Sequence, residues 1–383
     1  MKTYAYIILL TTLWACAPKE QEDNCLTLKV QTDDIGTSFH ELFEQIEIIP
    51  LELNDNSLIK QIEELYLIDD TLYIFDRELK CLHIFDGISG KYLKTIMKVG
   101  QGPEEYTHVY DINIDDRRKL IEFLSPFGFI NVYDYSGNFI NREILPTPPN
   151  SYVKFKNFND STYIIWGYVD QNSKDLGNIT LISKQNHQIV NSFWKNKDIE
   201  AGFALLPFGE YNNNTYFSIS ITNRVYQITI DECKLVYKWD LGKYNIDNYR
   251  KSNAFKVTLN NRNEKIKRII EELSTSDNLY RFNRKLENDK YYYAQIVFKN
   301  QKGLAPHLFY NKDTGNSHYF FKTIEGLSFI TCSLTDDYIL AELLMDNKDD
   351  LLKSNLLNDS DRMKIVMAKD DDNPIIVKIY FKK

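Results

Sequence analysis

The chain has 383 residues, of which 43% are hydrophobic and 14% aromatic, with a formal net charge of −8 and a pI of about 5.4. This composition excludes a disordered chain, because it provides enough apolar surface for a substantial core. The acidic balance argues against a broad nucleic-acid-binding surface, which would be basic. The 26 tyrosines and 22 phenylalanines against 15 glycines favour β structure, since aromatic side chains suit a pleated sheet.

Residues 1–16, MKTYAYIILLTTLWAC, combine the positively charged Lys2 with an apolar run and end at a cysteine. The run is too short to span a membrane and is typical of a secretory signal peptide. Leu13, Ala15 and Cys16 resemble a bacterial lipobox, although Trp14 departs from that pattern. The resemblance implies a signal peptide over residues 1–15 and a lipid anchor to the membrane at Cys16, with an ordinary signal peptide as the alternative.

Residues 16–24 are polar and acidic, which is typical of a flexible tether. A lysine followed by acidic residues soon after a lipidated cysteine resembles the surface-export signal of Bacteroidetes lipoproteins. We therefore expect a cell-envelope location, as an outer-membrane lipoprotein that is either periplasmic or surface-exposed.

Four further cysteines follow: Cys25, Cys81, Cys233 and Cys332. Export permits disulfides, and four cysteines allow three pairings. Because these cysteines are scattered along a chain that is long enough to form a core, we expect them to be buried free thiols.

A turn rich in Asp and Asn, followed by a β-rich segment, recurs six times along the chain. The last polar residues of these turns are Asp70, Asp116, Asp160, Asn214, Asp289 and Asp337, with successive spacings of 46, 44, 54, 75 and 48 residues. Asp and Asn tolerate left-handed backbone and bond to their own main chain, so each turn indicates a hairpin. With the flanking strands, each unit has four antiparallel strands, as a propeller blade does. The sequence therefore predicts an all-β fold, a six-bladed β-propeller over residues 25–383.

The 75-residue spacing contains the segment RNEKIKRIIEELSTSDN. Ile266, Ile269, Ile270 and Leu273 fall at helical spacing, which predicts an amphipathic helix inserted between blades 4 and 5, at about 255–277. A linker between two domains is the alternative, but the segment lacks the composition of a linker. Short helices are also predicted between residues 349 and 368, before the C-terminal strand, with Ser360 and Asp361 as a cap.

Closure of the ring is the remaining requirement, because an open ring leaves strand edges exposed. The sixth unit has three strands of its own, ending in PIIVKIYFKK. The strand-like segment Ile46–Leu53 precedes the first unit. We predict that this N-terminal strand completes the sixth blade.

The chain resembles the six-bladed β-propeller lipoproteins of Bacteroidetes, which are distantly similar to NHL-repeat propellers. The segments that carry the resemblance are IEIIPLE, LYIFD, LHIFDGISGKYLKTI, GQGPEEY, RVYQI, LVYKWDLGKY and DDDNPIIVKIYF. Their order makes the resemblance specific, and they span nearly the whole mature chain. It implies the fold and the envelope location, but the family has no well-established shared activity.

The segment VGQGPEEY lies between the last strand of the first unit and the first strand of the second. It lacks the strand–GxGxxG–helix context and the lysine of a phosphate-binding loop. We interpret it as a structural inter-blade loop in which Gly100 and Gly102 supply unusual backbone angles and Pro103 fixes the exit direction. Glu105 is expected to accept hydrogen bonds at the junction, and Tyr106 to pack as the aromatic of the similar GPGEF segment in NHL propellers does.

No cofactor or metal is predicted. The six histidines have no metal-ligand spacing, and neither HExxH nor CxxC is present. The adjacent aspartates occupy equivalent turns of different blades, so we interpret them as turn residues rather than catalytic pairs. Ligands gathered at the propeller axis from separate blades are the alternative.

Most aromatic side chains are expected to fill the gaps between blades, which must be densely packed. Two segments, WGYVD and FALLPFGEY, are candidates for exposed aromatic ligand contacts. The candidate residues are Trp166, Tyr168, Phe208 and Tyr211.

The anchor, the fold and the missing catalytic signature favour a non-catalytic binding or scaffold lipoprotein of the bacterial envelope. Its partner would be an unknown protein, peptide or glycan bound on one propeller face, and no nucleic acid is expected. The alternative is an envelope hydrolase or lyase with an active site in the axial funnel. A third hypothesis makes the inserted helix the partner contact.

Overall fold

The computed structural model of the chain describes residues 25–32, 36–146, 151–168, 176–195, 206–246, 262–275, 280–298 and 305–383. Within these residues, 25 β-strands form six sheets, the blades of a β-propeller. The predicted signal peptide, Cys16 and the tether lie outside the described residues. The first strands are β1 (Leu26–Lys29) and β2 (Phe43–Pro50), with the short helix α1 (Phe39–Leu42) before β2.

Blades 1 to 3 are each formed by four consecutive antiparallel strands. Blade 1 contains β3 (Glu64–Ile68), β4 (Thr71–Asp76), β5 (Cys81–Asp86) and β6 (Tyr92–Ile96). Blade 2 contains β7 (Asp111–Asp115), β8 (Leu120–Ser125), β9 (Phe129–Asp134) and β10 (Phe139–Ile144). Blade 3 contains β11 (Ser151–Asn159), β12 (Thr162–Tyr168), β13 (Gly177–Ser183) and β14 (Ile189–Lys195).

Blades 4 and 5 repeat this arrangement on either side of the inserted helix. Blade 4 contains β15 (Phe208–Tyr211), β16 (Asn214–Phe217), β17 (Arg224–Ile228) and β18 (Cys233–Asp240). Blade 5 contains β19 (Tyr280–Glu287), β20 (Tyr291–Phe298), β21 (His307–Asn311) and β22 (Ser317–Phe320). The helix α2 (Arg262–Thr275) confirms the predicted insertion. Its Ile269 is buried in the cluster between blades 3 and 4, whereas Ile270 is 41% exposed.

Blade 6 closes the ring in the predicted way. It contains β23 (Phe329–Leu334), β24 (Tyr338–Leu343) and β25 (Ile375–Phe381), and β2 pairs antiparallel with β25 as the fourth strand. The closing strand begins and ends three residues earlier than predicted. Its Ile46 and Ile48 enter the core between blades 5 and 6, while Ile49 enters the core between blades 6 and 1.

Short helices occupy the segment before β25, as predicted: α3 (Lys348–Lys353) and α4 (Asp359–Met367), after a 3₁₀ turn at Met345–Asn347. The predicted cap was wrong, because Asn358 rather than Ser360 is the N-cap of α4. The side chain of Asn358 accepts a hydrogen bond from the main-chain N of Asp361 at 2.8 Å. Asn and Ser are both good caps, and the structure starts the helix two residues earlier.

A fifth strand on blade 4 was not predicted. β1 pairs in parallel with β18, the last strand of that blade. After β1, the main-chain N of Gln31 donates to Ser317 Oγ of blade 5 at 3.4 Å. The main-chain N of Ile324, between blades 5 and 6, donates to Thr37 O at 3.0 Å. Glu325 accepts hydrogen bonds from Ser38 Oγ at 2.6 Å and from the main-chain N of Phe39 at 2.8 Å. Because β1 has four residues and buries only Leu28 fully, the sequence carries little signal for it.

Six clusters of buried side chains lie in the described part of the chain, one at each interface between neighbouring blades. Strand periodicity explains the division, because successive side chains point to opposite faces of a sheet. In β25, Ile375, Val377 and Ile379 pack towards blade 5, and Ile376 packs towards blade 1. Every blade is therefore sandwiched between two cores.

Replacing Ile48 by Ala is expected to lower the free energy of unfolding by about 2–5 kcal/mol, because the substitution leaves a cavity at the strand that closes the ring. Ile48 is 1% exposed, and the matched control Ile88→Ala removes a side chain that is 69% exposed. Chemical denaturation of both variants measures the difference. Equal effects would contradict a closing role for β2.

Candidate functional site

An axial cavity of about 350 Å³ lies where the first strands of the six blades meet. These inner strands are β3, β7, β11, β15, β19 and β23. Among them, β7 contacts β11, and β15, β19, β23 and β3 contact one another in that order. The residues that line the cavity are Glu64, Leu65, Tyr66, Asn113, Ile114, Lys156, Leu206, Phe208, Gly209, Glu210, Arg284, Lys285, Leu286, Cys332, Ser333 and Leu334. All six blades contribute to this cavity, and it is polar on several sides.

A buried ion cluster ties blades 1, 2 and 3 together beside the cavity. The ammonium group of Lys154 on β11 lies 2.9 Å from Asp111 Oδ1 on β7, 3.2 Å from Glu64 Oε1 on β3 and 3.1 Å from Glu63 Oε1. The main-chain N of Phe155 donates to Asp111 Oδ2 at 2.8 Å. The cluster therefore joins three consecutive inner strands through one cation.

The wall of the cavity continues this cluster. Lys156 Nζ lies 3.0 Å from Glu64 Oε2 and donates to the Tyr66 hydroxyl at 2.5 Å, and that hydroxyl donates to Glu64 Oε2. A register shift between Tyr152 and Lys154 marks a bulge in β11. After it, Lys154 and Lys156 point to one face of the strand, while Phe155 packs between blades 2 and 3.

The charge states of the cluster follow from its contacts. Burial raises the pKa of Glu64, but Lys156 and Lys154 outweigh burial and hold that pKa well below its usual range. Burial and the nearby Glu64 carboxylate raise the pKa of Asp111 well above its usual range, against the effect of Lys154. Burial opposes the charge of Lys156, yet Glu64 and Tyr66 raise its pKa. Burial and Glu64 likewise raise the pKa of Tyr66, so Lys156 and Tyr66 both keep their protons near neutral pH.

A second polar network leads from the cavity wall into the interface between blades 2 and 3. Glu122 is fully buried and accepts hydrogen bonds from Asn113 Nδ2 at 2.7 Å, the Tyr163 hydroxyl at 2.9 Å and the Arg118 guanidinium at 3.0 Å. Burial raises the pKa of Glu122, and these donors oppose that rise. The hydrogen bonds satisfy the carboxylate and hold Asn113 in place at the cavity.

The opposite wall carries two basic residues on β19. Lys285 Nζ donates to Ser218 Oγ at 2.6 Å and to Ile219 O at 3.0 Å, which fixes it against blade 4. Arg284 is half-buried, and its Nε has no hydrogen-bond partner. A register shift between Phe282 and Arg284 marks a bulge, which changes the direction of the side chains that follow it.

These charged residues were not among the predicted site residues. The sequence does carry a signal for them, because two inner strands, YVKFKNF and YRFNRKL, contain basic residues inside otherwise strand-like segments. Charged residues are unusual inside a strand that packs on both faces. Glu64, the carboxylate shared by Lys154 and Lys156, is however about 90 residues away and cannot be identified as their partner without the topology.

Of the four predicted aromatic contacts, Phe208 lines the axial cavity. Trp166 is fully buried between blades 3 and 4, where it stacks on Phe217 with ring centroids 5.1 Å apart. Tyr168 is half-buried against the same cluster. Tyr211 lies outside the axial cavity, where its hydroxyl donates to Asp289 Oδ1 at 2.7 Å.

The VGQGPEEY segment forms a compact joint between blades 1 and 2. Glu105 Oε2 accepts a hydrogen bond from the main-chain N of Gly102 at 2.8 Å, and Tyr106 is buried, with its ring stacked on Phe123. The Tyr106 hydroxyl donates to Lys80 O at 2.8 Å. Gly100 and Gly102 do not adopt positive φ, so the predicted reason for these glycines was wrong. Gly100 instead leaves room for the Glu105 carboxylate, since a Cβ there would lie 1.9 Å from Glu105 Oε2 and would displace that group.

Burial keeps the inner cysteine and histidine side chains in their neutral forms. The four cysteines at 25, 81, 233 and 332 form no disulfide. Cys81 and Cys332 are buried as expected, whereas Cys25 and Cys233 are partly exposed. Cys81 Sγ lies 3.2 Å from His83 Nε2, but burial raises the pKa of this thiol to about 12. Burial also lowers the pKa of His307 to about 3, so that buried ring stays neutral. The described residues contain no group of three or more His, Cys, Asp or Glu side chains arranged to hold a metal ion.

The fold and the site together define the chain as a six-bladed β-propeller with a polar axial cavity of ligand size. The chain belongs to the family described as a domain of unknown function (DUF4934), whose pattern matches residues 25–380. The comparison with curated proteins finds no match.

Two solved structures share the fold. A protein of Bacteroides fragilis NCTC 9343, described as exported, has 16% identity and a TM-score of 0.68, covering 94% of this chain and 100% of that chain. A member of the DUF4221 family from Bacteroides vulgatus ATCC 8482 has 14% identity and a TM-score of 0.55, covering 89% of this chain and 97% of that chain. In the described part of this chain, no helix is both long and apolar enough to span a membrane.

Replacing Lys154 by Met is expected to lower the free energy of unfolding by about 3–5 kcal/mol at pH 7, because buried carboxylates lose their shared counter-charge. The loss should be smaller at pH 4. Without the cation the folded-state pKa of Asp111 rises further above its unfolded value, so the folded variant binds the extra proton and recovers stability as the pH falls.

The matched control for Lys154 is Lys60→Met, which removes an exposed ion pair with Glu78. Urea unfolding of both variants at the two pH values measures the effect. A destabilisation of Lys154→Met that does not depend on pH would contradict the ion-cluster explanation.

Replacing Gly100 by Ala is expected to displace the Glu105 carboxylate and to cost about 1–3 kcal/mol, the value of a hydrogen bond to a charged group. In a Glu105→Ala background the same Gly100→Ala change should be nearly neutral, because the clash and the hydrogen bond are already gone. A double-mutant cycle followed by thermal unfolding measures this coupling. Additive effects of the two substitutions would contradict it.

Proposed function

We propose that the chain is a non-catalytic binding lipoprotein of the bacterial cell envelope that holds part of a peptide or glycan in its axial cavity. The observation that carries the proposal is the cavity itself. Its volume of about 350 Å³ lies in the range of small-ligand sites, which are concave and combine apolar walls with a few polar groups. Phe208, Leu286 and Leu334 supply such apolar wall, and Ser333 and Asn113 supply polar groups.

The charge states at the cavity support binding rather than catalysis. A general acid or base works best with a pKa near the working pH. The contacts of Glu64 lower its pKa, and those of Lys156 raise its own, so both groups move away from that range. Their charges are also paired with each other, which stabilises the wall.

The cell-envelope location rests on the sequence. The signal peptide and the lipobox-like segment ending at Cys16 favour an anchored, exported protein. The similar Bacteroides fragilis protein is described as exported, which is consistent with that location. Protease treatment of intact cells distinguishes a periplasmic location from a surface-exposed one.

An envelope hydrolase or lyase is the second candidate, because Tyr66 lies between a carboxylate and an ammonium group in the cavity wall. In such an enzyme the Tyr66 hydroxyl would donate a proton. A Tyr66→Phe variant should keep ligand binding if the chain is a binding protein. Conversion of a bound peptide or glycan by the wild type, lost in Tyr66→Phe, would establish the enzyme instead.

A screen of the mature protein against peptide and glycan arrays tests the binding function. A Ser333→Trp variant should block the cavity and weaken capture of any hit at least tenfold, whereas the control Ser136→Trp, on an exposed hairpin turn, should bind as the wild type does. If Ser333→Trp does not fold, Phe208→Ala provides a second variant of the wall. Equal binding by the blocked variant and the control would exclude the axial cavity as the site.

A further inference from the structure

Arg284 differs from the other cations of the axial cavity. Lys156 is paired with Glu64 and Tyr66, and Lys285 is held by Ser218 and Ile219. The Arg284 side chain makes no hydrogen bond and no ion pair with the described residues, and its buried Nε has no partner. The cavity therefore contains one guanidinium whose hydrogen-bonding groups are not used by the described part of the chain.

An unpaired, half-buried guanidinium is unfavourable for folding. Removing a charge from water without a partner costs free energy, and cations in protein interiors are normally paired. Asn283 and Gln295 are next to Arg284 in the sheet and bond to each other, so they do not serve the guanidinium. Glu210 lines the same cavity from β15 but forms no ion pair with Arg284. An unpaired charge at this position suggests that it is kept for a ligand.

The geometry of the side chain selects the kind of ligand. A guanidinium is a planar fork of donors that matches a carboxylate with two parallel hydrogen bonds. Lys285, on the same strand, adds positive charge to this side of the cavity and attracts an anion. Phe208 and Leu286 provide an apolar surface next to the fork for the uncharged part of such a molecule.

We propose that Arg284 binds a carboxylate group of the ligand, and thus that the cavity takes small molecules or end groups that carry a carboxylate. This inference rests on the proposed binding function and names its ligand class. The carboxylate could belong to a peptide C-terminus or to a uronic acid, because both present the same group. The experiment separates these two sources.

The probes are two matched pairs, each with and without the negative charge. N-acetylglycine is compared with N-acetylglycinamide, and D-galacturonate is compared with D-galactose. Calorimetry of the wild type should detect at least one of the acids, with its neutral partner at least tenfold weaker. Binding of the first acid alone indicates a peptide source, and binding of the second alone indicates a glycan source.

Variants of the cavity then assign the effect to one side chain. Arg284→Gln should weaken binding of the acid at least tenfold. Arg284→Lys should recover part of that loss, because it restores the charge but not the fork. The control Glu210→Gln removes a cavity charge of the opposite sign and should leave the affinity for the acid unchanged or higher.

A ligand-free measurement distinguishes a binding role from a structural one. Because Arg284 lacks a partner, Arg284→Gln should have a melting temperature equal to or above that of the wild type. A clear decrease would show that the guanidinium stabilises the fold and would overturn the proposal.

The remaining outcomes are also decisive. Equal binding of an acid and its neutral partner, unaffected by Arg284→Gln but lost in Ser333→Trp, would overturn the carboxylate inference and leave the binding function intact. Acid binding that Arg284→Gln does not change would overturn the inference in the same way. If neither acid binds more tightly than about 10 mM, the inference fails. If the array screen also gives no hit, the binding function fails with it.

Discussion

Pairing of β2 with β25 is the constraint on which the rest of the structure depends. A propeller is stable only as a closed ring, since each blade buries both faces against its neighbours. Here β2 and the C-terminal strand β25 pair within blade 6, and Ile46, Ile48 and Ile49 of β2 contribute to the cores on both sides of that blade. The axial cavity exists because this ring holds six inner strands at a fixed distance from the axis.

The architecture could be predicted from the sequence because the fold consists of repeated units. In two of the six recurring turns the Asp or Asn residues have positive φ, as at Asp70 and Asn213. The recurrence of Asp and Asn, rather than one backbone conformation, made the repeat detectable. The order of blades, the inserted helix and the closing strand all follow from counting such units. β1 escaped prediction because a four-residue edge strand has almost no periodicity to detect.

The candidate site could not be predicted to the same extent, because it depends on contacts between distant blades. Lys154 is an unusual residue inside a strand, but its partners Glu64 and Asp111 are identified only once the fold brings them beside it. For the aromatic residues the sequence was misleading. Trp166 was a candidate ligand contact, but its side chain fills an interface between blades. Burial distinguishes a ligand contact from a side chain that packs between blades. Because burial of one side chain depends on the assembled ring, it could not be derived from the sequence. The role of Gly100 could not be predicted for the same reason, because it depends on the position of the Glu105 side chain rather than on the backbone angles of the glycine.

The parallel pairing of β1 with β18 has a mechanical consequence. A force applied at the N-terminal end acts first on the β1–β18 hydrogen bonds at the rim of blade 4. It then acts on the hydrogen bonds of Thr37 and Ser38 with the segment between β22 and β23. The closing strand β2 bears load only after these contacts have separated. The ring is thereby protected from tension on its N-terminal segment.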